Sequence, residues 1–130
     1  MTDLTNRLCA AVEQGNTEEA YELLLQGADI NAHNTHGDAP LHYAAAKGQT
    51  EAVKFLVRHG ARMSERGAHG MTALHVAAKN NCGETAVTLI EYGANVDLRD
   101  DDNKTPMQVA SFFKSTFWKM CRALEERNLS

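Results

Sequence analysis

Six histidines and three cysteines are the residues of this chain best suited to chemistry. Neutral imidazoles bind zinc, and an imidazole beside a thiol can activate it as a nucleophile. The spacing argues against both uses. His36 and His69 lie 33 residues apart, and so do His42 and His75. Positions related by a repeat stand one structural unit apart, roughly 10 Å, on the order of a helix diameter. Zinc needs its ligands about 2 Å from a single ion. The histidines therefore read as repeat positions, and no metal site is expected. Cys82 and His75 form the only imaginable nucleophile and base, with no acid evident to orient the imidazole. A phosphate-binding glycine loop, a His-Glu-x-x-His motif and a nucleophile elbow are all missing. The chain reads as a non-enzyme with no catalytic residues and no cofactor.

The densest charge cluster is Asp97-Leu98-Arg99-Asp100-Asp101-Asp102. It lacks the following glycine and distal glutamate of a calcium loop. Asp suits turns, so the run reads as a solvated turn; its other use is to draw in a basic patch on a partner. With a net charge of −4 and a pI near 5.8, the chain lacks the clustered Lys and Arg that nucleic acid requires. No apolar run approaches the roughly 20 residues of a membrane span. Met1-Thr2-Asp3-Leu4 lacks the basic and apolar parts of a secretory signal. Three unpatterned cysteines, Cys9, Cys82 and Cys121, suit a reducing compartment. A cytoplasmic location is expected, with the nucleus as the other option.

The elements that carry these residues repeat. Gly37-Asp38-Ala39-Pro40-Leu41-His42-Tyr43-Ala44-Ala45 returns as Gly70-Met71-Thr72-Ala73-Leu74-His75-Val76-Ala77-Ala78, then weakened as Asn103-Lys104-Thr105-Pro106-Met107-Gln108-Val109-Ala110-Ser111. Stepping back one period from Leu41, Ala44, Gly48, Gly60 and Ala61 reaches Leu8, Ala11, Gly15, Gly27 and Ala28. Four units fill 1–33, 34–66, 67–99 and 100–130, forming one domain over 1–130. A fixed period of this length implies stacked supersecondary units that cannot bury their apolar faces alone.

Each unit predicts two short helices. Pro40 and Pro106 suit a first helical position. Leu41, Ala44 and Ala45 follow at i, i+3, i+4 and make one apolar face. Gly15, Gly48 and Asn81 can supply the left-handed residue that stops the first helix. The second helix is expected over 50–59, burying Val53, Leu56 and Val57, and Gly27, Gly60 and Gly93 end its copies. Alanine-rich first helices can approach closely, whereas the Leu, Ile and Val of the second helices hold them apart. The stack should therefore curve, with the first helices on the concave side.

These residues resemble the ankyrin-repeat family. The family pattern, Gly-x-Thr-Pro-Leu-His-x-Ala-Ala followed later by Gly-Ala-Asp-Val-Asn, is matched by the segments above and by Gly27-Ala28-Asp29-Ile30-Asn31, Gly60-Ala61-Arg62-Met63-Ser64 and Gly93-Ala94-Asn95-Val96-Asp97. The resemblance implies an all-α solenoid of four stacked helix–turn–helix repeats with short hairpin or turn connections. Ala39 stands where the family has the threonine that holds the motif histidine, so His42 should be less well held than His75. Lys114 replaces the inter-helix glycine of the last unit, whose second helix fits best slipped by one residue, with Met120, Ala123 and Leu124 buried. The outer units then look like caps, with polar faces from Glu13, Gln14, Glu18, Glu19 and Glu22 at one end and Arg122, Glu125, Glu126 and Arg127 at the other.

The same resemblance implies a monomeric protein-interaction module, acting as inhibitor or adaptor on an unidentified protein partner rather than on nucleic acid or membrane. Its contact surface would comprise the hairpin tips and the concave ends of the first helices. The candidates are His33, Thr35, His36, Asp38, Lys47, Arg66, His69, Met71, Lys79, Asn80, Arg99, Asp101, Asp102, Lys104, Phe112 and Phe113. Arg66 and Arg99, one period apart, form a ladder that could engage carboxylates. Phe112, Phe113, Phe117 and Trp118 either anchor a partner or turn inward to cap the core. Two alternatives are kept: hydroxylation of Asn31, whose hairpin resembles one modified by an oxygen-dependent hydroxylase, and self-association through the aromatic C-terminus.

Overall fold

Eight α-helices in four consecutive pairs make up the computed structural model, which describes residues 2–129; Met1 and Ser130, the outermost residues of the end units, lie outside it. They are α1 (Thr2–Glu13), α2 (Thr17–Leu25), α3 (Pro40–Ala46), α4 (Thr50–Arg58), α5 (Ala73–Lys79), α6 (Gly83–Glu91), α7 (Pro106–Ala110) and α8 (Lys114–Leu129). No strand occurs among the described residues. The odd-numbered helices pack one on the next in series, and the even-numbered helices do the same, so the molecule has two helical layers. The solenoid reading holds.

The small side chains of the first layer are fully used. Ala44, Ala45, Ala77 and Ala78 have no accessible surface, which lets α3 and α5 pack closely. Leu23, Val53, Leu56, Leu89, Ile90 and Met120 fill the space beneath the second layer. Gly15, Gly48 and Asn81 have φ of 76°, 67° and 59°, the left-handed turn expected between the helices of a pair. Gly27, Gly60 and Gly93 have φ of 104°, 101° and 95°. After each of them the chain folds back: the N–H of Ala28, Ala61 and Ala94 donates to the carbonyl of Leu23, Leu56 and Leu89 at 3.1, 2.9 and 3.0 Å.

The last pair departs as its missing glycine foretells. Without a residue suited to the left-handed turn, α7 stops after five residues and α8 starts at Lys114 itself. Met120 and Ala123 are buried and Leu124 half-buried, so the one-residue slip is present. The threonine at the start of the shifted helix ties it to the preceding unit, Thr116 Oγ1 donating to Asn81 Oδ1 at 2.7 Å. The expected polar cap needs one correction. Arg127 does not face outward: its Nη1 donates to the carbonyls of Ala94 at 2.8 Å and Ile90 at 3.4 Å, closing the end of α6.

The two motif histidines are buried and bridge units. The backbone N–H of Thr72 donates to His75 Nδ1 at 3.2 Å, so Nδ1 is the acceptor and Nε2 carries the proton. Nε2–H then donates to the carbonyl of Lys104, in the next unit, at 2.8 Å. His42 repeats this: Ala39 N–H donates to Nδ1 at 3.1 Å, and Nε2 lies 3.0 Å from Met71 O and 3.1 Å from Glu65 O. Thr72 adds a hydroxyl contact to His75 Nδ1 at 2.8 Å; Ala39 has no side-chain oxygen to offer His42. Gln108 fills the same place in the last unit, accepting from Thr105 N–H at 2.8 Å.

Burial lowers the pKa of both histidines, against partial support for the proton from Asp38 and the carbonyls of Met71 and Glu65 at His42, and from the Lys104 carbonyl and Asp100 at His75. His33 opposes protonation at His42, as Arg66 does at His75. The folded chain thus binds these protons more weakly than the unfolded chain. The stability this represents is complete above the unfolded value of 6.5 and lost as pH falls below it. The melting temperature should be level from about pH 8 to 7 and fall below about pH 6.5. His42→Gln, which copies the residue at Gln108, should flatten that fall. A second variant, Ala39→Thr, should raise stability by about 1 kcal/mol by restoring the missing cap oxygen; denaturant melts measure it.

Candidate functional site

Three tips project between the pairs, and each closes in the same way. Asn34, Gly67 and Asp100 donate their N–H to the carbonyls of Asp38, Met71 and Lys104 at 2.9, 2.8 and 2.9 Å. Gly37, Gly70 and Asn103 take up the left-handed residue, with φ of 83°, 69° and 63°. Asn34 Oδ1 accepts from the N–H of His36 and Asp38, and Asp100 Oδ1 accepts from those of Asp102 and Lys104 at 2.9 and 3.0 Å. Burial would raise the pKa of Asp100, yet these two N–H donors, together with the nearby charges of His75 and Lys104, hold the carboxyl below its ordinary value. The acidic run is therefore anchored by one buried carboxylate, with Asp101 and Asp102 exposed beside it. The equivalent Asx at 34 was the signal for that anchor.

Several candidate contact residues hold the tips to one another. His33 Nε2 donates to the carbonyl of Arg66 at 2.9 Å, and Arg66 Nη1 donates to the carbonyls of Arg99 and, at 3.0 Å, Gly70. Arg99 turns back to Asn103 O at 2.9 Å. Arg66 and Arg99 thus each give Nη1 to backbone carbonyls of the tips. Asp38 Oδ1 accepts from Ala68 N–H at 2.9 Å, and His69 O accepts from Asp101 N–H at 3.0 Å. Asn80 Nδ2 caps its own helix through Val76 O at 2.9 Å. Asn31 is also engaged: its Nδ2 donates to Gly60 O at 3.1 Å and its Oδ1 accepts from Arg62 N–H at 2.9 Å.

The remaining candidates are not tied down in this way. Thr35, His36, Lys47, Lys79 and Lys104 are exposed, and Met71 and Phe113 are half-buried. Phe112, stranded by the short α7–α8 connection, is 82% exposed. Six of the candidates converge. Met71 and Lys79 from the third unit, and Asp102, Lys104, Phe112 and Phe113 from the fourth, surround a cavity of about 290 Å³ together with Asp100 and Val109. Val109 was missed because its repeat position reads as helix surface. Thr35 and His36 border a separate hollow of about 260 Å³ with Tyr43 and Glu13.

Among the described residues no group of three His, Cys, Asp or Glu could hold a metal ion. Burial pushes the Cys9 thiol up to about 12 and also raises those of Cys82 and Cys121. Both nitrogens of His75 are engaged away from Cys82. Among the described residues no helix is long and apolar enough to cross a membrane.

The helix pairs, left-handed glycines, bridging histidines and tips recur together every 33 residues. The family description Ankyrin repeats (3 copies) matches residues 8–100. The chain belongs to the ankyrin-repeat family. No curated protein matches it. Ankyrin repeats generally mediate protein–protein interactions and are typically non-enzymatic. This member sets a partly apolar cavity between its last two repeats, where a departure from the repeat leaves a phenylalanine in solvent. Phe112→Ala should leave stability within about 0.5 kcal/mol, whereas Met120→Ala in the same repeat should cost about 2–5 kcal/mol; chemical denaturation of both variants checks the contrast.

Proposed function

We propose that this ankyrin-repeat protein is a non-enzymatic binding module whose partner docks at the cavity framed by Met71, Lys79, Lys104, Phe112 and Phe113. The observation that carries this reading is the 82% exposure of Phe112 beside a cavity of about 290 Å³. Large rings and flexible thioethers at a desolvated centre supply most of the energy at protein interfaces. Lys79 and Lys104 at the rim suit a partner whose apolar anchor lies beside a carboxylate. Lys47 and Thr35, His36 and His69 extend the contact surface along the tips and first-helix ends, and the partner is thereby inhibited or recruited. Residues 1–130 act as one domain of four repeats, with the end repeats as caps. A cytoplasmic or nuclear setting suits its three free cysteines.

Asn31 supports a second, lesser reading as a site of asparagine hydroxylation. It lies in the turn before the first tip and is only half-buried. Modification requires the turn to release the bonds to Gly60 and Arg62. Intact-mass measurement of protein from its native cells should then reveal a species heavier by one oxygen; only the unmodified mass removes this reading.

Affinity isolation from the source cells identifies the partner. Met71→Ala, Lys79→Glu and Phe112→Ala should each weaken its capture by about tenfold or more with unchanged melting curves. Arg66 and Arg99 are unsuitable probes, since their loss disturbs the tips themselves. Retained capture by all three variants would move the interface elsewhere.

A further inference from the structure

The even-numbered helices form the layer opposite the first helices, away from the partner cavity, and their exposed charges alternate in sign. α2 carries Glu18 and Glu22 exposed, with Glu19 partly so, and no base. On α4 the half-buried Lys54 pairs with Glu51 at 3.4 Å, which leaves Arg58 as its exposed net charge. α6 carries Glu84 and Glu91 and no base. α8 carries Lys114, Lys119 and Arg122 before its first acid, Glu125. The order along the layer is therefore acidic, basic, acidic, basic. Reversing that order exchanges every sign. Two copies laid layer to layer with their stacks antiparallel would set α2 against α8 of the other copy and α4 against α6. Parallel copies would set like charges together.

Apolar side chains stand where the end helices would meet. On α2, Tyr21 is 48% and Leu25 69% exposed, and with Glu18 and Glu22 they follow i, i+3, i+4, i+7 on one stripe. Tyr21 leans on His59 at the end of α4, ring centroids 6.0 Å apart, so the stripe belongs to the second-helix layer. On α8, Trp118 is 67% exposed at a hollow of about 340 Å³ whose wall includes Val87 of α6, with Lys119, Arg122 and one acid, Glu126, beside it. Each end thus offers an aromatic ring flanked by charge, net acidic on α2, where Arg7 of α1 borders the glutamates, and net basic on α8.

We infer that the second-helix layer is a self-complementary surface, and that two copies of this chain associate through it about a two-fold axis passing between α4 and α6. A two-fold contact uses the same patch on both copies and closes, giving a dimer and not a filament. It uses the face opposite the partner cavity, so it stands independently of the proposed binding function. The proposal departs from the monomer that the family resemblance implied and extends the self-association kept as an alternative. Ionic contacts of this exposed kind weaken with salt, so the dimer should be favoured at low ionic strength.

Sedimentation equilibrium on the whole chain tests it. The wild type should pass from monomer to dimer with rising concentration, more readily at low salt. Trp118, the sole tryptophan, should shift its emission to shorter wavelength in step. Glu22→Arg and Arg122→Glu should each weaken association by about tenfold or more, because each homodimer then carries two like-charged contacts. Mixing the two variants restores opposite charges at both contacts and should restore the dimer. Helical melting curves establish that each variant is folded. A wild type that stays monomeric at low salt overturns the proposal. So does a mixture of variants that remains monomeric, or growth into species larger than a dimer.

Discussion

A neutral imidazole holding two backbones at once is the contact on which the stack depends. His75 accepts the Thr72 N–H through Nδ1 and gives its Nε2 proton to the carbonyl of Lys104, a residue 29 positions later. The first bond caps the start of α5, where the orphan N–H groups of a helix need partners. The second fixes the tip of the next repeat. Only a side chain that accepts at one edge and donates at the other, at a fixed distance, can do both. His42 does the same for the preceding junction. In the last repeat there is no further tip among the described residues, and Gln108 supplies the helix cap.

A second chain of contacts runs along the tips by the same logic. The side chains at 33 and 66 reach forward to the backbone carbonyls at 66 and 99, and that at 99 turns back on its own loop. Histidine serves at the first of these positions and arginine at the other two, since each needs only a donor. Asn31 and Arg127 close comparable gaps in the second layer, at Gly60 and at Ala94. Neighbouring repeats are thus joined by side chain to backbone bonds in both layers. Such bonds tolerate changes in the acceptor's side chain, which leaves the tips free to vary in sequence without loosening the stack.

Helix order, the left-handed glycines and the slipped register of the last repeat were all legible in the sequence, because each is set by residues that pack or turn. The period marked Leu41 with Leu74 and Gly60 with Gly93, and burial or positive φ follows at those positions. The roles of polar tip residues were not legible. Arg66 and Arg99 are large, charged and exposed, which reads as a docking ladder, yet their Nη1 atoms are bound to main chain. A carbonyl carries no sequence signature, so a side chain that serves one cannot be told from a free one. Arg127 was misjudged for the same reason. Phe112 lay beyond reach differently: its exposure follows from how short the α7–α8 connection became, a consequence of losing one left-handed residue at Lys114.

Repetition and departure from it therefore carry opposite meanings in this chain. His42, His75 and Arg66 occupy recurring polar positions, and each is bound to the neighbouring repeat and serves the stack. Four residues of the last repeat that break the pattern have no such partner. Phe112 and Phe113 replace Lys79 and Asn80 of the preceding repeat, and Lys104 replaces Met71; each stays at the rim of one cavity. Trp118 stands likewise exposed on α8, lining a hollow it shares with Val87. The stack gains nothing from an exposed ring, and exposed apolar surface has a solvation cost. Both rings sit in the one repeat whose altered geometry frees them, one facing each side of the molecule.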